Sequence, residues 1–164
     1  MPMKNGVLNL VPLKSNSFHP SATIFPISLP HPPMPSSIFI SLPVKDAKKS
    51  VAFYEALGFK SNPDFSDEST GSVVVSDAIS IMLASHEKFQ EISPKPLADT
   101  TKFCQVLMSL TCESKEEVDA LVKNAVAAGG TQAHDPEDYG FMYQWGFYDL
   151  DGNGWGLMAM TPQA

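Results

Sequence analysis

The sequence contains no arginine: all eleven basic residues are lysines, set against eighteen Asp and Glu for a net charge of −7 over 164 residues. Planar recognition of phosphate or carboxylate favours the guanidinium fork, and polyanion binding needs concentrated positive surface, so nucleic acid is not an expected partner. Cysteine is scarce, with only Cys104 and Cys112 and no CxxC spacing. If both lie in one strand, eight residues of extended chain put them on the same face but roughly 26 Å apart, too far to bridge. They read as small buried hydrophobes rather than metal ligands or nucleophiles. Long apolar runs are also missing; none approaches the ~18 residues of a membrane span, so no membrane partner is expected. The length suggests one domain, or two small modules sharing a core.

Charge and proline are unevenly spread. Residues 1–36 hold Lys4 and Lys14, no acid, and eight of the fourteen prolines, which leaves the rest of the chain at −9. A proline-rich stretch without helical or strand period buries little apolar surface, so residues 1–36 are expected to form a disordered extension ahead of a folded domain at 37–164. Prolines interrupt any secretory apolar core, and a mitochondrial presequence would be rich in arginine. The expected location is the cytoplasm. The alternatives for residues 1–33 are a plastid transit peptide or a dispensable extension ahead of a start at Met34.

What is present is a repeat. Ser114 and Glu117 make a capping box; Val118, Leu121, Val122, Ala125 and Val126 form an apolar stripe; Gly129 supplies a stop. A second helix starts at Asp46, buries Val51, Phe53, Tyr54 and Leu57, and closes at Gly58. Each follows a strand in which a Ser-Leu pair sits the same distance ahead of the cap: Ser41-Leu42 and Ser109-Leu110, 68 residues apart. Strand-like runs separated by turn residues follow each helix, so each half reads βαβββ. The predicted fold class is α+β, with modules at about 37–85 and 103–161. Between them, His86 to Thr100 reads as a short helical turn and a proline-bearing linker.

Two tandem βαβββ modules, the V-x-D-x-x-x-S-x-x-F-Y-x-x-L-G-F pattern from Val44 to Phe59, and the D-x-D-G turn at Asp149–Gly152 resemble the vicinal oxygen chelate superfamily. This group spans glyoxalase I, bleomycin-resistance proteins, fosfomycin-resistance enzymes and extradiol dioxygenases. The resemblance implies a half-open barrel, a cavity lined by inward side chains, and a homodimer. Alternation assigns the cavity Phe39 and Ser41 on the first strand, Gln105, Leu107 and Ser109 on the fifth, and Gly156, Met158 and Met160 on the last. The fourth strand would offer Ser80, Met82 and Ala84. The metal-using relatives place their ligands at positions matching Phe39, the vicinity of Met82, Leu107 and Gly156. None of these side chains binds a metal, and Ile40, Val106 and Trp155 do not rescue the set. No metal and no cofactor are therefore expected.

His86, just past the fourth strand, is a candidate general base or cavity-rim contact, against the plainer reading of an exposed helix start. His134, in HDPED, reads as a solvated turn residue. The opening of an EF-hand loop at Asp149–Gly154 fails at the twelfth position, Met160, and reads as a hairpin turn. Tyr139, Phe141, Tyr143, Trp145 and Phe147 alternate along one apparent strand, as a stacking wall or as its buried face. The expected function is binding of a flat hydrophobic small molecule contacted by Phe39, Ser41, Met82, Gln105, Leu107, Ser109, Trp145 and Met158. A modest acid–base lyase or isomerase reaction would use His86, Tyr139 or Tyr143. The alternatives are a divalent-metal-dependent lactoylglutathione-lyase-like enzyme or dioxygenase with displaced ligands, and a non-catalytic scaffold. The missing arginine also counts against a glutathione adduct, whose carboxylates such relatives hold largely with arginines.

Overall fold

The computed structural model describes residues 35–161. The expected disordered extension and transit peptide lie outside the described residues, apart from positions 35 and 36. The first half runs β1 (Ile38–Val44), α1 (Ala47–Ala56), β2 (Lys60–Ser61), a 3-10 turn (Pro63–Phe65), β3 (Thr70–Ser76) and β4 (Ile79–Ser85). After α2 (His86–Ile92), the second half runs β5 (Leu107–Cys112), α3 (Lys115–Ala127), β6 (Thr131–Gln132), β7 (Glu137–Asp138), β8 (Met142–Tyr148) and β9 (Gly154–Met160).

Both main helices start and stop where the local chemistry dictates. The Asp46 carboxylate accepts the Lys49 N–H at 3.1 Å, satisfying an amide that has no partner within α1. At α3 the Ser114 hydroxyl accepts the Glu117 N–H at 3.2 Å, while the Glu117 carboxylate reaches back to the Glu113 N–H at 2.7 Å, one residue before the expected cap. Gly58 and Gly129 follow with φ of +99° and +103°, the left-handed conformation that ends a helix at little cost only in glycine.

The sheets share one topology. Strand order is β1-β4-β3-β2 in the first and β5-β9-β8-β6 in the second, with β7 added alongside β8. In each the opening strand lies at the edge, parallel to the closing strand, a pairing that requires a crossover, here made through the helix and hairpins. The fifth strand is shorter than its sequence suggests. Leu107 is already opposite Gly154, where β9 begins, so Cys104 and Gln105 have no strand partner to extend the ladder. Cys104 is accordingly exposed and outside the strand that holds buried Cys112. The apparent strand from Tyr139 also breaks. Gly140, at φ +80°, turns the chain between β7 and β8.

One hydrophobic core joins the halves. Helix α1 packs on β3 and β4, α3 packs on β8 and β9, and the two helices touch each other. Phe53 meets Phe147 at a ring separation of 6.2 Å, and Tyr54 meets Trp155 edge to face at 5.9 Å. Complete burial of side chains such as Val122 and Leu157 stabilises by about 1.5–3 kcal/mol each. Val126 departs from the expected stripe and stays exposed.

The D-x-D-G turn is the polar counterpart of that core. Asp149 accepts the N–H groups of Asp151 and Asn153, the Asn153 amide and the Tyr54 hydroxyl, all within 2.9 Å. Asp151 accepts from the Lys45 N–H at 2.9 Å and from Ser50 Oγ at 3.2 Å, and its own carbonyl accepts from the Thr100 hydroxyl. Both carboxylates are buried, and these bonds occupy them as a hairpin anchor rather than as calcium ligands. Among the described residues, no helix is long and apolar enough to cross a membrane.

Candidate functional site

Helices cover one face of each sheet and leave the other uncovered. Period-two alternation sorts the side chains. On β9, Trp155, Leu157 and Ala159 turn to the core, so Gly154, Gly156 and Met158 lie on the opposite face, opposed on β8 by Tyr148, Gly146 and Gln144. The outer face of β5 adds Leu107 and Ser109. A cavity of about 230 Å³ lies here, bordered by Leu107, Ser109, Gln144, Tyr148, Gly156, Met158 and the loop residues Ala133 and His134. Gly156 lies at its base, paired across the ladder with the buried Gly146. A Cβ at Gly146 would come within 2.7 Å of the Trp155 carbonyl oxygen and 3.3 Å of His134 Nε2, and one at Gly156 within 3.2 Å of Ser109 Oγ.

The first sheet presents a second open face. Phe39 is paired with Ser80, and Ser41 with Met82, on the side away from α1. Phe39 is 56% exposed, and Leu107 on the other sheet 61%, values that leave both side chains available for contact. Phe39, Ser41 and Met82 therefore group on one sheet, while Leu107, Ser109 and Met158 group on the other around the cavity.

Several expected site residues lie elsewhere, for reasons the register makes plain. Gln105 precedes β5, is exposed, and directs its amide to the Ala98 carbonyl. Trp145 and Tyr143 pair with Leu157 and Ala159, which turns them toward α3. Trp145 donates to the His134 carbonyl at 2.7 Å and only borders the cavity, and the Tyr143 hydroxyl donates to Asp119 at 2.7 Å. Burial, then that bond to Asp119, pushes the Tyr143 hydroxyl up to about 12, far from an acid–base role at neutral pH. Tyr139 sits at the hairpin tip beside Phe141, bonded to Glu137. That bond, more than burial, raises its hydroxyl above the usual phenol range. His86 opens α2 and borders a separate hollow of about 280 Å³ with Pro43, Asp99 and Asp151. The structure does not bring His86, Tyr139 and Tyr143 together.

His134 was expected to be a solvated turn residue and was not assigned to the cavity. It is exposed, as a turn residue should be, and its imidazole packs against Gly146 while the residue also borders the cavity. Gly146 lets the ring pack this closely, since a Cβ there would fall 3.3 Å from His134 Nε2.

The donor set does not fit a metal. Phe39, Met82, Leu107 and Gly156 offer no ligating group among them that would hold a divalent ion, and among the described residues no three His, Cys, Asp or Glu are arranged to do so.

Comparison with known proteins agrees with this architecture. A hypothetical protein from S. aureus shares 31% identity over 77% of this chain and 95% of its own, with a TM-score of 0.66. A glyoxalase/bleomycin resistance protein/dioxygenase family enzyme from Burkholderia phytofirmans shares 20% over 75% and 97%, with a TM-score of 0.65. The fosfomycin resistance protein FosX from Mesorhizobium loti shares 13% over 76% and 91%, with a TM-score of 0.56. No curated protein matches the chain. The sequence model of the Glyoxalase/Bleomycin resistance protein/Dioxygenase superfamily matches residues 38–157, nearly the whole of the described fold, and the chain belongs to that superfamily.

Proposed function

We propose that this protein binds a flat, largely apolar small molecule on the open face of its second sheet, without a metal at the superfamily's ligand positions. The observation that carries the reading is the cavity there: about 230 Å³, with Gly156 at its base, Leu107, Met158 and Tyr148 as its apolar wall, and Ser109, Gln144 and His134 as its polar side chains. Methionine and backbone adapt to shape, so the pocket suits hydrophobic contact more than a rigid polar lock. A chain with no arginine and −9 on residues 37–164 disfavours a strongly anionic ligand.

A homodimer belongs to the same proposal. Strands β1 and β5 are sheet edges, and Ile38, Phe39, Val106 and Leu107 lie exposed along or beside them. Pairing the two edges across a two-fold axis would satisfy their backbone groups and set the Phe39, Ser41 and Met82 face beside the cavity.

The test is a thermal-shift screen of hydrophobic metabolites on the full chain, with metal analysis of the same preparation and sedimentation to read oligomeric state. Expected are stabilising apolar hits, substoichiometric metal and a dimer. Stoichiometric nickel, zinc, iron or manganese, with activity lost to a chelator, would overturn the metal-free reading. A stable monomer would overturn the dimer.

A further inference from the structure

A groove of about 550 Å³ lies on the helix-covered side of the first sheet, between α1 and the loop that joins β2 to β3. Its α1 wall follows from helical spacing, because Ala47, Val51 and Glu55 recur every four residues and so share one stripe. Ala47 is buried and Val51 half-buried, which makes them the base. Gly71 lets α1 press this closely onto β3, since a Cβ there would fall 2.3 Å from Val51 Cγ2. The facing loop is fixed by its own bonds. Asn62 accepts the Asp64 N–H at 3.1 Å, and the Ser66 hydroxyl donates to the Asn62 carbonyl at 2.7 Å and accepts the Ser72 N–H at 3.1 Å.

The rim carries charge of one sign. Glu55, Asp67 and Glu68 are exposed there, and Lys48 is the only basic residue among those that line the groove. Two of the carboxylates are tethered by a single oxygen. Ser61 Oγ donates to Glu55 Oε1 at 2.5 Å, and Ser69 and Thr70 direct three bonds to Asp67 Oδ1, all within 2.9 Å. Glu55 Oε2 and Asp67 Oδ2 remain to accept. Lys88, whose charge also reaches Asp67, is bonded to Glu91 at 2.6 Å. Among the described residues no three His, Cys, Asp or Glu converge as a metal site, so the rim does not gather into a cage for a bare metal ion. An apolar base beneath a net negative rim instead matches an organic cation, whose body leaves water while its charged end stays at the surface.

We propose that this groove binds a small hydrophobic amine, its apolar body against Ala47, Val51 and Pro63 and its ammonium group among Glu55, Asp67 and Glu68. It is a second site, on another face of the molecule from the second-sheet cavity and independent of the ligand bound there.

The probes are naphthylmethylamine, naphthylmethanol and naphthoate, which share a ring system and are cationic, neutral and anionic near neutral pH. Amide NMR titration of the full chain reads both affinity and place. The amine should move the amides of Lys48, Val51 and Glu68 to Gly71, and should bind about five- to tenfold tighter than the alcohol, as two or three exposed ion pairs imply. Naphthoate should bind weakest, and raised salt should erase most of the difference. Glu55→Gln and Glu68→Gln should each weaken the amine about two- to threefold and leave the alcohol unchanged. Lys48→Gln should act in the opposite sense, tightening the amine about twofold. Glu116→Gln, at the start of α3, is the control for the general negative charge of the domain and should change nothing. Equal binding of amine and alcohol, a loss in Glu116→Gln equal to that in Glu68→Gln, or shifts confined to β8 and β9 would overturn the amine site. So would failure of the amine to bind.

Discussion

Replacing Tyr54 with phenylalanine removes one oxygen from the centre of the junction between the two halves. The Tyr54 side chain is fully buried; its hydroxyl donates to Asp149 Oδ2 at 2.7 Å and accepts from Trp155 Nε1 at 3.1 Å. Phenylalanine keeps the ring contacts with Phe53, Phe59 and Trp155, so the perturbation is confined to hydrogen bonding. Asp149 retains three other donors and is not left bare. The bond to a carboxylate contributes about 1.5–3 kcal/mol, and an orphaned buried indole N–H costs about 1–3 kcal/mol. Allowing for partial relaxation, Tyr54→Phe should destabilise by about 3–4 kcal/mol, or roughly 10–15 °C in Tm for a domain of this size. Urea denaturation followed by circular dichroism measures it, with Ser50→Ala as the mild control, since its bond to Asp151 is 3.2 Å long. A Tyr54→Phe loss below about 1 kcal/mol would refute the view that this polar node, and not the apolar contacts alone, ties the halves together.

Thiol chemistry should separate the two cysteines. Burial, then the nearby Glu117, pushes the Cys112 thiol up to about 11, whereas Cys104 is exposed. A disulfide reagent near neutral pH should titrate one thiol in the native protein and both in urea; two fast native thiols would contradict the placement of Cys112. Stability should also fall in alkali. Tyr143 has its folded value raised to about 12 from an ordinary 10, so its contribution is complete below about pH 10 and is lost as pH rises toward 12, because the unfolded chain releases the proton first. Burial, then the Asp149 charge, raises Tyr54 in the same direction. Tyr143→Phe should therefore flatten part of the alkaline limb, and an unchanged pH profile would count against a native Tyr143–Asp119 bond.

The helices were legible because their signals are local. Asp46 and Ser114 cap where their side chains can reach an amide three residues on, and Gly58 and Gly129 stop the chain where only a left-handed residue fits. The duplicated order of strand, helix and hairpins followed from such signals, and so did the reading of Asp149–Gly152 as a turn. The site was less legible. Trp145 and Tyr143 belong to an alternating run that has two faces, and only the pairing of β8 with β9 shows that these rings meet α3 while Gln144 meets the cavity. Gln105 looked like strand because nothing in its own sequence reveals that β9 begins opposite Leu107.

The sequence by itself therefore determined the class of fold and the duplication, since each depends on residue type and short-range spacing. Tertiary structure decided which open faces exist and what borders them. His134 illustrates the difference. Its ring reaches Gly146 and the cavity edge only because β6 pairs with β8, and β8 with β9, in one register, contacts between residues apart in the chain that no local pattern encodes.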